Sequence, residues 1–251
     1  MMNFKQKLQT GEPLLGTFLK TPAPVICETL GRTELDVICI DAEHAPFDRA
    51  AIDLCILAFR SVNMPCIVRV PARQTEYILN ALDCGADGIL APHILTAEDA
   101  RFIAEKSHFG SGRGYASSSR AAHYGAKTMS QHIEDSAERT TTIIQIEDAE
   151  ALDNLDSILS VNGIDCIFVG RSDLTVSLGY KNAEDPQLIA TIETICKAAK
   201  AAGRAIGMFT PQIDEIPHWR SLGASLFLLG TEQSFMLRGA ADFGAQVRAK
   251  F

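Results

Sequence analysis

Eight short apolar runs, spread along the whole chain and separated by stretches of helical rhythm, constrain this sequence more than any other feature. They cover residues 14–19, 37–40, 66–70, 88–92, 142–146, 165–169, 205–209 and 226–229. Between them Ile52, Cys55, Ile56 and Phe59 recur at three-and-four spacing, as do Leu188, Ile189, Ile192, Ile195 and Ala199 ahead of Gly203, a helix stop. Continuous apolar strands that alternate with helices call for a parallel sheet covered on both faces. Eight such units in 251 residues is the size of a closed barrel. An open, doubly wound sheet would place a glycine-rich turn after its first strand, where this chain has Lys20, Thr21, Pro22, Ala23 and Pro24. The sequence therefore predicts an α/β fold, a single (β/α)8 TIM-type barrel, with residues 1–251 as one domain.

Composition narrows the function classes. Lys and Arg number 23 against 31 Asp and Glu, a net charge of −8 with no basic stripe, which argues against nucleic acid and anionic lipid as partners. No apolar stretch approaches the ~20 residues of a membrane span, and the polar start MMNFKQKLQTGEP lacks the pattern of a signal peptide. Cysteines at 27, 39, 55, 66, 84, 166 and 196 form no CxxC pair and read as reduced, buried thiols of a cytoplasmic protein. One segment, residues 110–125 (GSGRGYASSSRAAHYG), breaks the strand and helix rhythm. It contains no phosphate-loop pattern and reads equally as a surface loop or as an active-site lid.

In such a barrel chemistry collects where strands run out at their carboxyl ends. The second run ends in Asp41, Ala42, Glu43 and His44, and the third ends at Arg69, a guanidinium that needs an anionic partner inside a barrel mouth. In the fifth, strand alternation puts Gln145 and Glu147 on one face. After the sixth, Gly170 permits a turn that swings Asp173 back over the barrel. Glu147 and Asp173 make a hard-oxygen pair suited to Mg2+ or Mn2+, with positions left open for the keto and carboxylate oxygens of a 2-oxo acid. A cation there stabilises an enolate, Arg69 neutralises the same oxyanion, and His44 has the ordinary pKa of a proton shuttle. These parts suit an aldolase. A Schiff-base route has Lys20 as its one strand-end lysine.

Plainer readings stand beside these. Asp173 opens the helix-like stretch DLTVSLG and reads also as a helix cap. His44 reads as well as a capping residue. His93 follows a strand with no carboxylate close in sequence and reads as structural, while His108, His123, His132 and His218 show no ligand spacing.

The segments LGTFLK, ICIDAEHAPFD, IVRVP, LDCGADGILAPH, GRGYASSSRA, IIQIEDAEALDNLDSIL and VGRSDLTVSLGY, in that order, resemble the HpcH/HpaI family of class II, metal-dependent 2-oxo acid aldolases. The resemblance implies a (β/α)8 barrel in which Glu147 and Asp173 bind Mg2+, Mn2+ or Co2+ and Arg69 holds the pyruvate enolate. It implies that His44, paired with Asp41, transfers a proton with water, that Gln145 supports the site, and that the peptide N–H near Ser172 meets the substrate carboxylate. Asp83 matches a further family position near the site. A homotrimer or homohexamer is implied, with residues 231–250 exchanged between subunits.

Departures from the family pattern lie on one side. Arg171 and Ser172 stand where Gly-Pro-x-Asp is common, setting an extra cation beside Asp173; Phe18 stands where some members carry tryptophan; and Ile206, Gly207, Met208, Phe209 and Thr210 also differ. The enolate half is complete, and the aldehyde half is this chain's own. The expected activity is reversible cleavage of a 4-hydroxy-2-oxo acid to pyruvate and an aldehyde. An acyl-CoA lyase, an oxaloacetate decarboxylase and a non-catalytic 2-oxo acid binder are the alternatives.

Overall fold

All eight apolar runs become strands in the computed structural model, which describes residues 2–210 and 212–251. They are β1 (Leu14–Leu19), β2 (Val37–Asp41), β3 (Cys66–Arg69), β4 (Gly88–Ala91), β5 (Thr141–Ile146), β6 (Cys166–Val169), β7 (Ala205–Phe209) and β8 (Ala224–Thr231). Neighbours in sequence pair in parallel, and β8 pairs β1 to close the barrel. Boundaries differ from the apolar runs by a residue or two in either direction: β3 and β4 stop one residue short of their runs, and β2 runs on because backbone pairing outlasts hydrophobicity. Asp41, for example, still pairs with Arg69.

Helix α1 (Phe4–Thr10) precedes the barrel. Helices α2 (Pro24–Leu30), α3 (Arg49–Ser61), α4 (Thr75–Cys84) and α5 (Ala97–Ser107) follow β1 to β4, and α6 (Met129–Arg139) is a second helix before β5. Then come α7 (Ala149–Asp153) and α8 (Leu155–Leu159) after β5, α9 (Arg171–Ser177) and α10 (Pro186–Ala201) after β6, α11 (Ile216–Ser221) after β7, and α12 (Glu232–Arg248) after β8. Side-chain caps set several starts. Asp48 accepts from Ala51 N at 2.8 Å and Thr96 forms a capping box with Asp99, each worth about 1 kcal/mol.

Strand alternation divides the core in two. Ile38, Ile40, Val68, Ile144, Ile146, Ile167 and Val169 point outward under the helices. Val37, Cys39, Ile67, Leu90, Ile143, Cys166, Leu226 and Leu228 fill the barrel interior. Phe4 and Leu8 of α1 join that interior cluster with Leu14, stoppering the end where the strands begin. The same two-residue period carries Asp41, Arg69, Gln145 and Phe168 into the interior at the opposite end. All seven cysteines are buried.

Two features bear on the expectations from sequence. The segment of residues 110–125 lies between α5 and α6 and packs on the outer helices: Arg120 binds Asp53 through Nε at 3.0 Å and Nη2 at 2.6 Å, and Ala121 N donates to the Asp83 carbonyl. None of it borders the barrel mouth, so the lid reading is corrected; a segment that follows a helix emerges at the amino end of the barrel. In α12 the single buried residue is Glu232, while Met236, Leu237 and Phe243 are exposed.

Leu8→Ala is expected to cost about 2–5 kcal/mol of stability by opening a cavity under the barrel. Urea unfolding measures it, and ligand binding at the far mouth should be unchanged.

Candidate active site

The register of β2 and β3 sets Asp41 beside Arg69, and the two side chains form a two-pronged pair. Arg69 Nε lies 3.0 Å from Asp41 Oδ1 and Nη2 lies 2.9 Å from Oδ2. Both are buried. Glu43 Oε2 sits 3.3 Å from Arg69 Nε, Lys20 Nζ sits 3.4 Å from Asp41 Oδ2, and the guanidinium stacks 4.6 Å from the Phe18 ring centroid. Burial alone would raise the Asp41 carboxyl, but the hydrogen bonds and charge of Arg69 outweigh it and hold the group below its ordinary value. Burial likewise opposes the Arg69 charge, and Asp41 overrides it. The imidazole of His44 is half exposed and lies 3.6 Å from Glu43 Oε2. Its link to Asp41 runs through the backbone, His44 N donating to Oδ1 at 3.1 Å.

On the other side of the mouth, Gln145 and Glu147 share a face as alternation requires. Gln145 Nε2 donates to Glu147 Oε2, and His93 N donates to Glu147 Oε1 at 2.9 Å. Gly170 is tied to this pair by space, since its φ of −87° asks nothing special of a glycine. A Cβ there would lie 2.4 Å from Glu147 Oε2 and 2.6 Å from Gln145 Nε2. The expected role of this glycine in a tight turn is thus replaced by close approach. Asp173, exposed in the first turn of α9, acts on Glu147 as a negative neighbour. Burial above all, with Asp173 and Glu43 adding to it, pushes the Glu147 carboxyl up to about 7 against the contrary pull of His93.

Phe18, Lys20, Asp41, His44, Arg69, Gln145, Ser172 and Asp173 all border one cavity of about 330 Å3, a size suited to a small ligand. Phe168 and Phe209 complete an aromatic wall with Phe18, at centroid distances of 6.5 and 6.1 Å. Asp83 lies elsewhere. It sits on α4, 3.2 Å from Arg113 Nη2, away from this cavity. Arg171 borders the cavity, yet its charge is engaged: Nη1 lies 2.5 Å from Glu215 Oε2, and Nε donates to the Ala183 carbonyl at 2.7 Å. Burial would raise the Glu215 carboxyl, but Arg171 and the Trp219 indole N–H hold it below its ordinary value.

His93 was expected to be structural, and the structure corrects this. It adopts the left-handed conformation (φ 54°), uncommon outside glycine, and so aims its N–H at Glu147. Its ring lies 3.0 Å from Asp148 Oδ2, 3.4 Å from Glu43 Oε1 and 3.5 Å from Glu147 Oε1. Burial would lower its pKa, but these carboxylates together raise it. Three of its partners come from other strand ends, so sequence adjacency could not find them. Among the described residues, Glu147, His93 and Asp148 place ligand atoms within 4.8 Å of one another, a donor set that fits a divalent cation, whereas Asp173, the expected second ligand, stands outside that set on the cavity wall and acts on Glu147 through its charge. Gln145 Oε1 beside them is buried without a partner among the described residues.

A closed parallel barrel whose strand ends set a buried Arg–Asp pair on the wall of one cavity, with a carboxylate cluster on neighbouring strand ends, has the form of a barrel enzyme. The chain belongs to the HpcH/HpaI aldolase/citrate lyase family, whose model matches residues 14–238. It is 32% identical to the hydroxypyruvate/pyruvate aldolase of Roseobacter denitrificans, over 97% of this chain and 96% of that protein. It is also 32% identical to the 5-keto-4-deoxy-D-glucarate aldolase of Salmonella paratyphi C, over 91% and 90%. A solved HpcH/HpaI aldolase/citrate lyase family protein from Burkholderia cenocepacia superposes with a TM-score of 0.91 at 31% identity, covering 97% of this chain and 98% of that one.

Gly170→Ala is expected to leave the fold intact but to displace Glu147 and Gln145, lowering turnover about 10²-fold, the scale of a 1 Å misplacement. Melting curves beside steady-state kinetics check it.

Proposed function

We propose that this chain catalyses reversible aldol cleavage of a 4-hydroxy-2-oxo acid to pyruvate and an aldehyde. One observation carries the reading: the buried Arg69, already charged and oriented by Asp41, faces the same cavity as Gln145 and Asp173. Its two named aldolase relatives support the reaction class.

Glu147 and Asp173 are the residues proposed to hold a divalent cation (Mg2+, Mn2+ or Co2+), with Gln145 orienting Glu147 from the same strand. Such an ion, when bound, supplies Lewis-acid polarisation of the 2-keto group. Arg69 presents its guanidinium to the oxyanion that develops at C2, and because Asp41 and Glu43 fix it beforehand, little reorganisation is needed as charge appears. His44, half exposed at the rim beside Glu43, is placed to take the proton of the 4-hydroxyl group in cleavage and to return it in synthesis. The peptide N–H at Ser172 receives the substrate carboxylate. Phe18, Phe168 and Phe209 exclude water from the enolate carbon. With Phe209 and the engaged Arg171 on the wall that departs from the family pattern, the aldehyde pocket is aromatic and gains no free cation.

Exposed Met236, Leu237 and Phe243 on α12 support packing of that helix against a second copy, in a homotrimer or homohexamer. Light scattering coupled to gel filtration should give three or six chains, and fewer for Leu237→Glu with Phe243→Glu.

The central test measures pyruvate release from a panel of 4-hydroxy-2-oxo acids with each metal added after chelation. Activity should need the metal. Arg69→Ala should lower kcat about 10²- to 10³-fold, and Glu147→Gln with Asp173→Asn should abolish the metal response. Full activity in that double variant after chelation would overturn the reading, as would cleavage confined to acyl-CoA thioesters.

A further inference from the structure

At the amino end of the barrel, far from the mouth, a second cavity of about 100 Å3 opens beside α4 and α6, where β4 and β5 begin. That volume exceeds the roughly 30 Å3 share of a single water. Four cations border it, Arg60, Arg113, Lys127 and Arg139, against two carboxylates, Asp87 and Asp135. Asp135 is already bound to Lys127 at 2.5 Å, and Asp87 accepts from the Cys66 N–H at 2.9 Å. Arg60 and Arg139 have no ion-pair or hydrogen-bond partner for their guanidinium groups among the described residues.

Two buried groups in the wall are incomplete. Arg113 spends Nη1 on Ser136 Oγ and Nη2 on Asp83 Oδ1, yet its Nε has no partner, and neither has Nε2 of His132. Both residues are more than nine-tenths buried, at 7% and 2% exposure. Buried polar atoms left without partners are costly, and a native structure seldom keeps two on one cavity wall unless a ligand or ordered water completes them. Burial lowers the pKa of His132, and Arg113 and Lys127 lower it further. With four cations against two carboxylates, the wall carries a net positive charge. Arg113 comes from the glycine- and serine-rich segment 110–125, which has no part in the barrel mouth. Its guanidinium also stacks on Phe109, 4.3 Å from the ring centroid, so the fork is held rigidly in place.

We propose that this cavity is a second ligand site, taking one small phosphoryl oxyanion per chain, either free phosphate or the terminal phosphate of a small ester. Three or four acceptor oxygens suit a wall that carries Arg113, His132 and the unpaired Arg60 and Arg139 better than the two of a single carboxylate. The site is independent of the aldolase reading, since it shares no residue with the barrel mouth.

Calorimetric titration of inorganic phosphate into the whole protein tests it, at constant ionic strength and with saturating oxalate to fill the mouth. One phosphate per chain should bind. Arg60→Gln with Arg139→Gln, both exposed positions, should weaken it at least tenfold while melting and pyruvate release stay unchanged. As a second readout, the His132 imidazole resonance should titrate at higher pH once phosphate is bound. Binding of inorganic phosphate or of glycerol 2-phosphate supports the site, and the tighter of the two names the source. No phosphate heat, equal affinity in the double variant, displacement by oxalate, or tighter binding of malonate than of either phosphate would overturn the proposal.

Discussion

A guanidinium buried at the mouth of a barrel is the constraint around which the rest of this site is arranged. Arg69 is stable there because Asp41, on the next strand in matching register, meets it with two short contacts and stays ionised despite burial. Removing one partner from such a pair leaves an uncompensated buried charge, a loss of about 3–5 kcal/mol. The arrangement also uses up Asp41. A carboxylate held below its ordinary pKa by an arginine is a poor proton acceptor near neutrality, and Asp41 reaches the neighbouring His44 only through a peptide N–H.

The opposite side of the mouth follows the contrary rule. Around Glu147, burial and neighbouring acids raise the pKa where Arg69 lowers that of Asp41. Two carboxylates a few strands apart are thereby driven in opposite directions, one toward permanent charge and one toward neutrality. A barrel achieves this without long-range design. Each strand contributes one interior side chain at its end, and each environment depends on which side chain the next strand presents.

Much of this was legible in the amino-acid sequence. The eight apolar runs announce the barrel because a buried parallel strand must be apolar on both faces, and Arg69, Gln145 and Glu147 stand out because polarity at such a strand end needs a reason. What escaped was whatever depends on distance between segments remote in sequence. His93 showed no adjacent carboxylate, yet the closure of the sheet brings Glu43, Glu147 and Asp148 around it. Arg171 read as an extra charge beside Asp173, and only the fold supplies Glu215 and the Ala183 carbonyl that engage it. Asp83 matched a family position, but on its own chain it faces Arg113 among the outer helices. The segment 110–125 was ambiguous because composition reports its lack of apolar burial and says nothing of which end of the barrel it serves.

Helix α1 has a consequence for traffic. With Phe4 and Leu8 closing the floor and a packed interior above them, nothing passes through the barrel, and a ligand reaches Arg69 from the rim where His44 and Lys20 stand. Whatever lies deepest, against Arg69 and Gln145, can leave only after the fragment above it has gone. Under the proposed reaction, with the acid held against Arg69, departure in cleavage follows depth, the aldehyde first and the three-carbon acid second, and in synthesis the queue is reversed.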